Sequence, residues 1–215
     1  MQIDSTNALA LFHRGRCDIL QGRLSEAAED FAGAREKGLD SANRRVILNY
    51  ASEYYNRAAA QFTRRNLDSA LHDINIAVAI EPGSALYHFT KGEYCYALAD
   101  HRTAIASYNA ALQIDPRYVQ AYYKQGMAWY ELGEHRKAID DFDAALTLSP
   151  QHLFALKGKG DALSEQKDYT HAVQNYESAL RIASHTRGIP SSLPAELYND
   201  LGYCYARMGE YEPAV

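Results

Sequence analysis

VQAYYKQGMAWYELGEHRKAIDDFDAALTLSPQH, residues 119–152, decides the fold. Measured from Ala138, Gly126 stands twelve before, Phe142 four after, Ala145 seven after and Pro150 twelve after. The same spacing recurs outward in both directions. Its anchoring alanines are Ala27, Ala70, Ala104, Ala138, Ala172 and Ala214, separated by 43, 34, 34, 34 and 42 residues. Twelve before them stand Gly15, Ala58, Gly92, Gly126, Gly160 and Gly202. Four after the first five stand Phe31, Ile74, Tyr108, Phe142 and Tyr176, and seven after stand Ala34, Ala77, Ala111, Ala145 and Ala179. A fixed period of this length marks a stacked helical array.

Each unit reads as helix–turn–helix. The recurring glycine falls inside the first helix, where it costs about 1 kcal/mol against alanine. A cost repeated at one register needs a packing reason, and close approach of the neighbouring helix supplies it. Gly22, Gly133 and Gly209 mark the turns between paired helices, where a helix stops most readily. Pro82, Pro116 and Pro150 end second helices, since proline cannot continue them.

The stretches 85–118 and 119–152 resemble tetratricopeptide repeats, through Trp129, Leu132, Gly133, Ala138, Phe142, Ala145 and Pro150. The resemblance extends over roughly residues 8–215. It implies an all-α solenoid of antiparallel helix pairs wound into a right-handed superhelix, with the first helices lining a concave face. It implies protein binding and leaves the partner open. The organisation expected is a single array, 1–215, with repeats at 8–41, 51–84, 85–118, 119–152, 153–186 and an incomplete 195–215.

Two places break the period. ANRRVILNY, residues 42–50, lacks glycine and proline and keeps helical apolar spacing. It reads as extra turns at the front of the next helix, with Ser41 as N-cap. Residues 187–194 belong to a second insertion, which Gly188, Pro190 and Pro194 with two serines make partly a loop; the second helix before it is expected to run long. The last second helix scarcely begins at Ala214, which would leave Tyr198, Leu201 and Tyr205 without cover. A piece of a longer protein, or a homodimer through this end, is the expectation.

Net charge is −5, divided as +2 over residues 1–65 and −7 over the rest. That balance argues against nucleic acid, which wants a continuous basic surface. No apolar run is long enough to span a bilayer, and the N-terminal MQIDSTNALALFHRGR lacks a secretory pattern; the expected compartment is cytoplasmic. Cys17, Cys95 and Cys204 read as core thiols. The eight histidines form no i,i+4 pair and no cysteine combination, so no metal is expected. Asp140, Asp141 and Asp143 read as a solvated outward face. No phosphate loop, nucleophile elbow or paired catalytic carboxylates are present, so a non-enzymatic chain without cofactor is expected, an adaptor or else the regulatory or substrate-docking arm of a longer enzyme.

Side chains pointing into the concave face fall fifteen, eleven and eight before each anchor. Repeats one to four place Phe12, Arg16, Tyr55, Phe62, Phe89, Tyr96, Tyr123, Met127 and Tyr130 there; repeats five and six are polar. Such aromatics either pack between repeats or hold an apolar or amphipathic segment of another protein, with tyrosine hydroxyls bonding its backbone. Arg16 and Lys124 would serve as charged anchors and Asn56 as a backbone contact. The carboxylate clamp of chaperone-binding relatives is absent: of its five positions only Asn56 matches, while Phe12, Arg16, Leu86 and Thr90 occupy the others. Arg44, Arg45, Arg57, Arg64 and Arg65 gather early, either for solubility or as a docking surface for an acidic partner.

Overall fold

In a computed structural model of the chain, residues 8–37, 41–186 and 188–209 are described, with only the backbone at 41–44. Every regular element among them is a helix: α1 (Ala8–Leu20), α2 (Leu24–Glu36), α3 (Ser41–Thr63), α4 (Leu67–Ile80), α5 (Ala85–Ala97), α6 (His101–Ile114), α7 (Val119–Glu131), α8 (His135–Leu148), α9 (Leu153–Glu165), α10 (Tyr169–His185) and α11 (Leu193–Met208). Odd helices to α9 pair antiparallel with the even helix that follows. They form two compact units, Met1–Asp115 and Pro116–Val215. Ala214, the last anchor of the repeat, lies outside the described residues, as do Arg187 and the side chains of Ser41 and Arg44.

The turn inside each pair is made by one device. The residue five before the anchor takes a left-handed backbone in all six repeats: Gly22, Arg65, Ala99, Gly133, Lys167 and Gly209. The next residue's N–H then reaches back to a carbonyl five residues earlier, Arg23 to Asp18, Asn66 to Gln61, Asp100 to Cys95, Glu134 to Trp129 and Asp168 to Leu163. This satisfies the open carbonyls of the first helix. Asp100 and Asp168 then cap α6 and α10, accepting from the N–H of Thr103 and His171.

The anchors and their followers make the core. Ala27, Phe31, Ala34, Ala70, Ile74 and Ala77 are fully buried in the first unit, as are Ala138, Phe142 and Ala145 in the second. The glycine registers explain themselves geometrically. A Cβ on Gly92, Gly126 or Gly160 would lie 2.4, 2.7 or 2.5 Å from the ring of Tyr108, Phe142 or Tyr176. Phe142 is seated against two glycines, since a Cβ on Gly158 of α9 would lie 2.7 Å from the tip of its ring as well. α3 is 23 residues long against 13 for α1, α5, α7 and α9, and α10 is 17 against 14 for α4, α6 and α8.

Two sequence expectations fail. Cys95 and Cys204 are buried but Cys17 is exposed: Cys204 is covered by Ser164 of the preceding repeat, and no described helix precedes α1. Leu201 is buried against the core of α9 and α10, although Tyr198 beside it is 63% exposed.

Candidate functional site

In the first unit most groove registers are occupied by rings in contact with other rings. Tyr55 of α3 stacks on Tyr87 of α5 with centroids 5.2 Å apart, and Phe62 stacks on Tyr94 at 4.5 Å. Phe89 tilts against Tyr108 at 5.7 Å, and Tyr96 meets His101 edge-on at 5.1 Å. Tyr55, Phe62, Phe89 and Tyr96 are half-buried, so each ring keeps part of its surface in solvent. Phe12 is buried against Phe31 and presents almost nothing. Asn56 is exposed, and so is Arg16, whose guanidinium lies 5.1 Å from the Tyr50 centroid and 6.0 Å from that of Phe12.

Tyr50 comes from the inserted turns of α3, so the insertion contributes directly to this face. Its hydroxyl lies 3.5 Å from that of Tyr54, on which Arg57 sits at 4.3 Å. Burial, with Tyr50 adding to it, pushes the Tyr54 phenol up to about 12. Arg57 also binds Asp73 through two hydrogen bonds of 2.6 and 2.5 Å, so it is committed within the fold. Arg14 and Asp30 repeat that pair one unit earlier, again at 2.6 and 2.5 Å. Of the early basic cluster, Arg45, Arg64 and Arg65 are exposed.

In the second unit Tyr123, Lys124, Met127 and Tyr130 of α7 are half-buried. Tyr123 lies among Phe142, His152 and Phe154, and Tyr130 meets His135 edge-on at 5.3 Å. Further along, Lys157 of α9 binds Asp161 at 3.1 Å and Asp200 of α11 at 3.4 Å, while the Tyr176 hydroxyl donates to Asp161 at 2.9 Å. Burial opposes the Lys157 charge, but the two carboxylates outweigh it and raise its pKa.

These contacts follow a rule across the repeats that inspection of single residues misses. Where the position eleven before the anchor is acidic, the core ring is a tyrosine that donates to it: Tyr108 to Glu93 at 2.6 Å, Tyr176 to Asp161 at 2.9 Å. Where that position is Arg16 or Met127, the ring is Phe31 or Phe142. The repeat alignment carried this signal as a covarying pair within one chain.

The aspartate run on α8 needs correction. Asp140 is exposed, but Asp143 binds Lys159 at 2.5 Å, and Asp141 turns inward with a buried Oδ2 that has no hydrogen-bond partner. Burial, with Asp140 adding to it, pushes the Asp141 carboxyl up to about 7. Among the described residues no three histidine, cysteine or acidic side chains are placed to hold a metal ion, and no helix is long and apolar enough to cross a membrane.

Helix pairs on a 34-residue period, with glycine seats for aromatic rings, define a helical-repeat protein. Family profiles described as tetratricopeptide repeat match residues 55–119, 89–152 and 152–215, and the chain belongs to that family. No curated protein matches it by sequence. Among solved structures, a MamA crystal structure is 18% identical with a TM-score of 0.61, covering 80% of this chain and 95% of its own. YrrB, described as having an unusual peptide-binding site, is 16% identical with a TM-score of 0.61 over 91% of this chain and 94% of its own. The TPR2B domain of yeast Sti1 in its pHsp70 complex is 20% identical, TM-score 0.54, over 57% of this chain and 97% of its own. At these identities the likeness is one of fold.

Proposed function

We propose that this chain is a non-catalytic adaptor whose first helices hold a peptide segment of a partner protein. The observation that carries the reading is the state of the groove-register aromatics. Tyr55 and Phe62 are held by stacking, Phe89 and Tyr96 by tilted and edge-on ring contacts, and all four stay half-exposed, so a ligand can complete their burial without ordering them first. Rigid, partly wet rings of this kind concentrate binding energy at little entropic cost. Arg16 supplies charge and Asn56 an amide able to donate to and accept from a peptide backbone. Tyr123, Met127 and Tyr130, with Lys124, offer the same combination in the second unit. The pHsp70 complex of the Sti1 domain and the peptide-binding site of YrrB support a polypeptide as the class of ligand.

The test begins with affinity capture of a partner, mapped to a minimal peptide. Tyr55→Ala, Tyr123→Ala and Tyr130→Ala are then assayed for melting and for affinity. Loss of about 2 kcal/mol of affinity at a central anchor, about 30-fold, is the expected result. Stably folded variants with unchanged affinity would remove the site from the first helices.

A further inference from the structure

Eleven before the anchor the repeats carry Arg16, Ala59, Glu93, Met127, Asp161 and Tyr203, so the second alone has a bare methyl there. Ala59 is half-buried on α3. Tyr55 stands four residues before it and Phe62 three after, which places all three on one face of the helix. Both rings are half-buried, and each stacks on a buried tyrosine of α5. Seven residues of helix set the two ring pairs about 10 Å apart. A side chain entering between them would lie about 5 Å from either pair, an ordinary distance for packing against a ring. The methyl of Ala59 thus floors a notch sized for one large apolar side chain.

The charge near this notch is equally specific to the first unit. Arg14, Arg23 and Arg57 each bind a buried aspartate. Arg16 is exposed, rests on the rings of Phe12 and Tyr50, and pairs with no carboxylate among the described residues. A guanidinium held on rings is already oriented for a carboxylate. Tyr50 stands nine residues before Ala59 on α3, about 13 Å along the helix axis. An extended segment covers that length in about four residues. Asn56 is exposed between the two, with an amide that can donate to and accept from such a backbone.

We infer that the first unit selects an extended, internal segment of a partner protein with an aspartate or glutamate about four residues from a large apolar side chain. The acid pairs with Arg16, and the apolar side chain enters the notch over Ala59. The inference rests on the adaptor reading above and adds the chemistry of its ligand. A side-chain carboxylate is what the site calls for, since the positions that would clamp a chain terminus are occupied by other residues.

The probe is a phage-displayed library of random twelve-residue peptides, fused at their C-terminal ends so that no terminal carboxylate is free, and selected on the immobilised whole chain. Enriched sequences are expected to share the acid and the apolar residue at that spacing. Selection on Arg16→Glu should replace the acid by lysine or arginine. The best peptide, synthesised with both ends capped, should bind Ala59→Met about tenfold or more weakly by fluorescence anisotropy. That variant's melting temperature should be no lower, because Met127 fills the same register in repeat four and methionine is a good helix former. Enriched peptides that lack the pair, yet lose binding to Tyr55→Ala or Tyr123→Ala, would overturn the inference and keep the adaptor reading. So would equal affinity for Ala59→Met, or an acid preference that survives Arg16→Glu. No enrichment over a blank support, or enriched peptides indifferent to both tyrosine variants, would overturn the two together.

Discussion

Arg65, Ala99 and Lys167 hold φ values of 63°, 59° and 65° at the register where Gly22, Gly133 and Gly209 stand. A left-handed backbone costs a residue with a Cβ about 1–2 kcal/mol, while glycine gains unfolded-state entropy worth somewhat less. Ala99→Gly should therefore stabilise the chain by about 0.5–1 kcal/mol, read as a higher midpoint in urea; a lower one would refute the strain argument. Asp141 gives a second test at this scale. Its register partner is Gln125, where the first two repeats place Arg14 and Arg57 opposite Asp30 and Asp73. With a pKa near 7 folded and about 4 unfolded, the folded state binds the proton more tightly. That contribution is complete below about pH 4 and is lost as pH rises through 7. Gln125→Arg should flatten the fall in stability between pH 4 and 7 and raise stability at pH 8; an unchanged pH profile would count against it. Sequence reading missed Asp141 because a run of aspartates looks solvated, and only the helix phase decides which of them turns in.

At the scale of helices, the repeated glycine was legible as a close approach, and the structure supplies the ring that makes it one. Gly92→Ala would gain about 1 kcal/mol in helix propensity. It would also put a methyl 2.4 Å from the Tyr108 ring, which is fully buried and tied by its hydroxyl to Glu93. Overpacking of that kind costs about 1–3 kcal/mol or more, so net destabilisation is expected. Repeat two shows the compensated form: Ala58 holds the glycine register and Ile74 the ring register, both fully buried. The double variant Gly92→Ala with Tyr108→Ile should then lose less than the two single losses added, a coupling that a double-mutant cycle measures directly. Strict additivity would break the argument. What the period alone did not disclose was the choice between tyrosine and phenylalanine, because that choice depends on a side chain fifteen residues earlier on the other helix.

At the scale of the molecule, a repeat protein holds together through neighbours, so damage to one seat should stay near it. The all-α repeat architecture was readable because identical spacing recurs in register. The distribution of stability was not, since it depends on which ring touches which helix. Phe142 makes the point for the second unit: it is fully buried and lies between Gly126 of α7 and Gly158 of α9. Removing the ring strips contacts from α7, α8 and α9 together, at a cost of about 3–5 kcal/mol. The far end of that unit rests on other residues, with Leu193, Leu197, Leu201 and Cys204 of α11 packed among Val173, Tyr176 and Ala179 of α10. Amide exchange of Phe142→Ala should therefore show the largest loss of protection in α7 to α9 and a smaller one in α10 and α11. A uniform loss across α7 to α11 would mean that this unit opens as one block, and the nearest-neighbour picture would fail for it.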